Sequence, residues 1–280
     1  MRIVTTRAEL AAARAEATPL ALVPTMGFLH EGHLSLVRRA KADHGTVAVS
    51  VFVNPTQFGP SEDLSTYPRD LARDLDLLAD AGVDLVWTPR VEDIYPGGFS
   101  TYVDVEGVTD VLEGAERPGH FRGVATVVNI LFNAVRPVAA YFGQKDAQQC
   151  VVLRKMVRDL AMDVDVVICP TVREADGLAM SSRNAYLDET HRAAATVLIR
   201  ALRAAESAWA AGETDADALR SRMQTVLAAE PLAQVGYVSI ADTDDLREID
   251  AIDPARGALA SLAVRVGKPR LIDNLLLTPR

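Results

Sequence analysis

LALVPTMGFLHEGHLSLVRR, residues 20–39, carries the chain from an apolar run through a glycine turn into a helix-like stretch. Residues 20–23 are all apolar and read as a buried strand, and residues 34–39 hold Leu34, Leu36 and Val37 at helical spacing. Between them His30 and His33 stand three apart, beside Gly27 and Gly32. At a helix start that spacing puts both rings on one face. Helix N-termini present free N–H groups and the positive end of the dipole, so they attract phosphate. Two imidazoles added there make a place to hold a triphosphate. A zinc reading is weaker, because HxxH lacks the i, i+4 spacing and the third nearby ligand of such sites.

Outward from this unit the alternation repeats. Residues 46–53 are rich in β-branched side chains and end at Asn54-Pro55-Thr56-Gln57-Phe58-Gly59-Pro60. A helix is expected over 69–81, stopped by Gly82, then a short strand over 84–88. Gly119-His120-Phe121-Arg122-Gly123 reads as a loop leading into an amphipathic helix over 124–135. A strand over 138–142 opens onto Gly143-Gln144-Lys145-Asp146, a helix covers 147–160, and residues 164–169 form another strand. The fold class is therefore α/β, a Rossmann-like parallel sheet with helices on both faces. Ligands of such sheets bind beyond the carboxyl ends of the strands, which is where these loops lie.

After about Tyr186 the texture changes. Alanine-rich helical segments over 189–211 and 216–229 precede strands over 236–241, 259–266 and 271–277. A smaller C-terminal α+β domain is expected, dividing the chain into 1–175, which binds nucleotide, and 176–280, a lid.

Composition narrows the classes. The 280 residues are 49% hydrophobic and 24% charged, enough for a core without metals or disulfides. A net charge of −9 argues against a general nucleic-acid binder. Cys150 and Cys169 lie in apolar stretches and read as buried free thiols. The start, Met1 to Thr6, lacks a secretory apolar run, and no stretch approaches a membrane span. A soluble, cytoplasmic protein is expected.

Three further groups carry chemistry. Lys145, beside Gly143 and a helix start, is a point charge for a phosphate, while Asp146 suits either a ribose hydroxyl or a helix cap. Ser181, Ser182 and Arg183 in Met180-Ser181-Ser182-Arg183-Asn184 are donors for phosphate oxygens. The nearby Asp176-Gly177-Leu178 makes a turn and a mobile segment able to exclude water from a bound nucleotide. Gln57 and Gln149 are neutral bidentate hydrogen bonders, suited to a small substrate with a hydroxyl and a carboxylate. Asn54, Phe58 and Tyr67 join that cluster.

PTMGFLHEGHLSL at 24–36, VFVNPTQFGPSEDLSTYPRD at 51–70, GHFRGVATVV at 119–128, YFGQKDAQQ at 141–149 and TVREADGLAMSSRNAYL at 171–187 follow in order along nearly the whole chain. In these segments the sequence resembles the pantothenate synthetase (pantoate–β-alanine ligase) family of the nucleotidylyltransferase superfamily. HxGH alone indicates only the superfamily. The VNPxQF, GxKDxQQ and MSSRN segments are far more specific.

The resemblance implies that D-pantoate attacks the α-phosphorus of MgATP to give pantoyl adenylate and pyrophosphate, and that β-alanine then displaces AMP. It implies an ATP site from Met26, Gly27, Phe28, Leu29, His30, Glu31, Gly32 and His33, with His33 and His30 on the phosphates. Gly143, Gln144, Lys145 and Asp146 would hold ribose and phosphates, with Met180, Ser181, Ser182 and Arg183 closing from the other side. Val172 would touch adenine through its backbone. Gln57 and Gln149 would bind pantoate, Gln57 facing β-alanine as well, with Asn54 and His120 in the same pocket. A homodimer and Mg2+ carried by the triphosphate are also implied, though no D-x-D motif nominates a protein ligand. One departure is Ala147, where the family commonly has an aromatic residue; altered packing beneath the pantoate pocket is expected. A rival within the superfamily transfers AMP onto a phosphorylated substrate and ignores β-alanine, and a non-catalytic nucleotide sensor would bind without turnover.

Overall fold

The first unit of the computed structural model, Met1–Gln144 with Val152–Pro170, is built on strands β1 (Arg2–Val4), β2 (Ala21–Thr25), β3 (Val47–Val51), β4 (Leu85–Trp87), β5 (Ala139–Gly143) and β6 (Asp165–Cys169). The structure describes residues 1–17, 19–60 and 62–280; Thr18, and Ser61 within the 51–70 motif, lie outside it. The strands pair in parallel in the order β1-β4-β3-β2-β5-β6. Helices α1 (Arg7–Glu16), α2 (Glu31–Asp43), α3 (Leu71–Asp80), α4 (Val91–Ile94), α5 (Glu113–Glu116), α6 (His120–Val135) and α7 (Ala147–Asp159) connect and follow them, with the first turn of α7, to Val151, counted in the second unit. The α/β parallel sheet expected from the alternation is present. Its core draws Val23, Val49, Val86 and Tyr141 from the strands and Val37, Ala40 and Leu78 from the helices.

The order places a topological switch at β2, whose neighbours are β3 on one side and β5 on the other. Between β2 and β5 only Ala21↔Ala139 and Leu22↔Ala140 pair, so the ladder stops short of Pro24, which has no N–H to contribute. The sheet therefore opens at the carboxyl ends of these two strands, where α/β sheets hold ligands. Met26 to His33 leave one strand end and Gln144 the other.

The second unit, Lys145–Val151 with Thr171–Arg280, contains α8 (Glu189–Ala195), α9 (Val197–Ala210) and α10 (Ala216–Ala228) with β7 (Ala233–Ala241), β8 (Ala258–Val266) and β9 (Arg270–Leu277). The strands form an antiparallel sheet in the order β7-β8-β9. Central β8 is an almost unbroken apolar run, and Leu262 and Val264 pack with Leu198, Leu202, Leu219 and Met223 of the helices. This is the small α+β module expected from the C-terminal texture. Cys150 and Cys169 are buried and free, as expected. No helix among the described residues is long and apolar enough to cross a membrane.

Several elements differ from the sequence expectation. β1 and α1 were not anticipated, although Thr6 and Glu9 form a reciprocal capping box at the start of α1. The helix expected over 189–211 breaks at Thr196, whose hydroxyl turns back onto the Ala193 carbonyl at 2.7 Å. α6 begins at His120, ahead of the expected start at Val124, because Gly119 takes the left-handed conformation at its N-cap. Gly123 thus lies inside the helix. A Cβ there would stand 2.4 Å from the Thr56 carbonyl oxygen, so glycine is required for α6 to lie against the turn at Pro55–Gln57.

Candidate active site

The loop leaving β2 is held by a carboxylate that sequence reading passed over. Asp74 of α3, only 1% exposed, accepts the backbone N–H of Phe28 and of Leu29, each at 2.7 Å. Gly27 and Phe28 both have positive φ, +82° and +49°, and a Cβ on Gly27 would stand 3.0 Å from the Asp74 carboxylate. Thr25 ties the loop to β3 by donating to the Ser50 carbonyl at 2.8 Å. Arg73 donates to the Leu29 carbonyl at 3.0 Å and lies over the Phe28 ring.

The turn delivers His30 to the N-cap of α2. Its Nδ1 accepts the Gly32 N–H at 3.2 Å, and His33 Nδ1 accepts the His30 N–H at 3.3 Å. Each neutral ring therefore carries its proton at Nε2. The ring centroids are 4.1 Å apart, but the rings meet through this capping exchange and not as two positions of one helical face, because His30 is the extended N-cap and only His33 lies within α2. Two imidazole N–H donors thus stand at the positive end of a helix, a combination that stabilises negative charge developing on a phosphate.

Beside this loop sits Gln57, whose Nε2 is 3.2 Å from Met26 Sδ. Its Oε1 accepts from Asn54 Nδ2 at 3.0 Å. Asn54 is 1% exposed, and its Nδ2 also donates to the Gly123 carbonyl at 3.1 Å. Asn54 Oδ1 accepts from Tyr95 Oη at 2.6 Å, from Thr56 Oγ1 at 3.0 Å and from the Thr56 N–H at 3.4 Å. Burial pushes the Tyr95 phenol up, which keeps it a donor at neutral pH.

His120 is engaged at both nitrogens. Arg117 Nη1 donates to Nε2 at 3.1 Å, so Nδ1 bears the proton and donates to the Gln57 carbonyl at 2.8 Å. Arg117 is held in turn by Glu62 through two bonds of 2.7 Å. Burial pushes Glu62 up, but the Arg117 pair outweighs it and holds the carboxyl below its usual range. Burial, then the Arg117 charge, drives His120 down from 6.5 to about 4. An unfolded chain protonates this ring near pH 6.5, whereas the native ring waits until about 4. Stability from this group is complete above the upper value and declines as pH falls through that window. The loss approaches roughly 3 kcal/mol at its lower end. Urea unfolding at pH 7 and pH 4.5 is expected to show a smaller acid loss in His120→Gln than in wild type. Equal losses would refute the assignment.

In the second unit Lys145 Nζ lies 3.3 Å from Asp146 Oδ1, and its carbonyl accepts from Asn274 Nδ2 of β9 at 2.9 Å. Gln149, the third residue of α7, is half-buried, and Ala147, the first, is buried. Val172 and Met180 face each other in a small hairpin, with the Met180 N–H donating to the Val172 carbonyl at 3.0 Å. Ser181 caps the following turn by accepting the Arg183 N–H at 3.3 Å. The 176–178 turn read as mobile is a hydrogen-bonded part of that hairpin, and Arg192 braces it through Glu174 at 2.7 Å and Asp176 at 3.0 Å.

Met26 to His33, Asn54, Gln57, His120, Gly143 and Gln144 thus belong to the first unit, and Lys145, Asp146, Gln149, Val172 and Met180 to Arg183 to the second. Asp74, Tyr95 and Asn274 were missed because each reaches its target across a long stretch of chain, and Arg117 because only its pairing with the distant Glu62 marks its contact with His120, three residues away, as part of the site. Among the described residues no three His, Cys, Asp or Glu side chains gather into a metal-holding group.

A family model described as pantoate-beta-alanine ligase matches residues 2–276. A protein of Herpetosiphon aurantiacus named pantothenate synthetase is 66% identical over 277 residues, covering 99% of this chain and all of its own. The crystal structure of pantothenate synthetase from Thermus thermophilus superposes with a TM-score of 0.95 at 50% identity, over the full length of both chains. Pantoate-beta-alanine ligase from Francisella tularensis, solved in complex with beta-gamma ATP and beta-alanine, gives a TM-score of 0.80 at 33% identity, covering 99% of this chain and 98% of that one.

Proposed function

The chain belongs to the pantoate-beta-alanine ligase family, a family of amide-forming ligases, and from that premise we propose that it joins D-pantoate to β-alanine with cleavage of ATP to AMP and pyrophosphate, through pantoyl adenylate. The observation that carries this reading is the pair of Nε2–H imidazoles at the start of α2, beyond the strand end where the sheet opens.

In the first step a pantoate carboxylate oxygen bonds to the α-phosphorus and the bond to the bridging oxygen breaks, releasing pyrophosphate. His30 and His33 donate to phosphate oxygens as negative charge builds, and Lys145 and Arg183 neutralise it, with Ser181 and Ser182 as further donors. Gly143, Gln144 and Asp146 hold the ribose, and the Val172 backbone contacts adenine. In the second step the β-alanine nitrogen bonds to the acyl carbon, loses a proton and displaces AMP. Gln57 and Gln149 bind pantoate. Magnesium is proposed as the companion of the nucleotide, with phosphates and water as ligands, so no protein residue is assigned to it. A homodimer and a cytoplasmic location complete the proposal, and both rest on the family resemblance.

The experiment is a product assay with ATP, D-pantoate and β-alanine. Amide product with AMP supports the ligase; an adenylated product that accumulates with β-alanine present, with neither amide nor AMP formed, would overturn it. Gln57→Ala is expected to raise the KM for pantoate about tenfold or more, the loss of a hydrogen bond to a charged group. An effect confined to ATP would reassign the residue.

A further inference from the structure

We propose that Asn184 and Glu174, with Arg192 behind them, are positioning residues that hold residues 180–183 in the shape in which they meet the nucleotide, a role that deepens the ligase reading and rests on it. None of the three touches substrate.

Asn184 follows directly on the donor-rich segment, and its side chain reaches back across it. Its Nδ2 donates to the Ala179 carbonyl at 3.1 Å and to Glu174 Oε1 at 2.9 Å. Ala179 is the residue before Met180, so one amide group joins the two ends of a four-residue loop. A carbonyl and a carboxylate can only accept, and Nδ2 has two hydrogens, so both are committed and the amide has one orientation. That orientation is kept although Asn184 Oδ1 is buried with no hydrogen-bond partner. Turned over, the same oxygen would face two acceptors. Inside the loop the Asn184 N–H donates to the Ser181 carbonyl at 3.0 Å, and the Arg183 N–H donates to Ser181 Oγ at 3.3 Å.

Glu174 is itself aimed. Arg192 of α8 grips it as a fork, Nη1 to Oε1 at 2.9 Å and Nη2 to Oε2 at 2.7 Å, and also donates to Asp176 Oδ2 at 3.0 Å. The Arg192 bonds, joined by the bond from Asn184, outweigh burial and hold the Glu174 carboxyl below its usual range. Oε1 thus accepts from a guanidinium and an amide at once. α8 is anchored in turn by Ala194 and Ala195, which are buried in the core of this unit. A line of contacts therefore runs from that core through Arg192, Glu174 and Asn184 to the loop.

Donors that meet a triphosphate gain most when their geometry is set beforehand, since a displacement of about 1 Å costs up to roughly 100-fold in rate. None of the hydrogen bonds made by these three side chains runs to Asn54, Gln57, His120 or Gln149, the residues proposed for the other two substrates. Their loss is therefore expected to fall on ATP.

The test measures kcat and separate KM values for the three substrates, with thermal unfolding. It compares wild type, Asn184→Ala, Asn184→Asp and the swapped pair Asn184→Asp/Glu174→Gln. Asn184→Ala is expected to lower kcat/KM for ATP roughly 10- to 100-fold, with the pantoate and β-alanine KM values within about twofold of wild type. Asn184→Asp keeps the shape but sets a carboxylate against Glu174, and is expected to lose at least as much. Adding Glu174→Gln supplies an amide donor for the new carboxylate, and is expected to recover kcat/KM for ATP by about threefold or more. Folded Asn184→Ala or Asn184→Asp with kcat/KM for ATP within about twofold of wild type would overturn the proposal. Equal KM shifts for all three substrates, the mark of a structural effect, or a swapped pair no better than Asn184→Asp would do the same. Should Asn184→Ala not fold, the two shape-conserving variants decide the outcome. Wild-type protein that makes no amide would overturn the ligase reading instead, a result visible before any variant is compared.

Discussion

His33→Ala is expected to slow adenylate formation by about 100- to 1,000-fold, the loss that follows removal of one preorganised donor from a developing oxyanion. The ring is fixed before substrate arrives, since its Nδ1 already holds the His30 N–H and leaves the proton at Nε2. No reorganisation is then needed when charge builds on phosphorus. The same substitution removes half of a capping interaction at α2, worth about 0.5–2 kcal/mol of stability. The two effects separate in measurement. Pyrophosphate exchange reports the chemical step, and thermal unfolding reports the cap. Lys145→Ala carries the same expected rate loss without the cap. Near wild-type exchange by either folded variant would contradict the assigned role.

The second large effect is on stability. Asp273 of β9 is 2% exposed and receives Arg173 Nη1 at 2.7 Å and Nη2 at 2.9 Å, with the Asn274 N–H at 2.8 Å. Asp273→Ala leaves a mostly buried guanidinium facing only carbonyls, those of Gly177 and Asn274. Breaking one side of such a pair costs about 3–5 kcal/mol. Asn274, the next residue, donates to the Lys145 carbonyl, so the loss is expected to reach activity as well. Denaturant unfolding checks the magnitude. A decrease under about 1 kcal/mol, the level of an exposed pair, would show that the bridge is not the anchor described.

The parts of this molecule legible in the sequence were those written in short spacings. The apolar run before Gly27, the three-residue step from His30 to His33 and the glycine that ends β5 announced a strand–turn–helix unit and a parallel sheet. The start of α6 was hidden, because two glycines in Gly119 to Gly123 read as loop. One is a left-handed cap, and the other is demanded by the Thr56 carbonyl, from a turn far back in the chain. The box at Thr6 and Glu9 was legible and passed over. Asp74, Tyr95 and Arg117 had no local signature at all. Each acts on the sequence-visible residues, Asp74 on the histidine loop, Tyr95 on Asn54 and Arg117 on His120. The residues proposed to meet substrate come from motifs, while those that hold them in place emerged only with the fold.

The central claim is that pantoate is adenylated before the amine enters. Isotope exchange between pyrophosphate and ATP, run with D-pantoate and without β-alanine, tests it most directly. Exchange that requires pantoate and falls steeply in His33→Ala is expected. Folded wild-type protein that forms amide from all three substrates yet shows no pantoate-dependent exchange would contradict it.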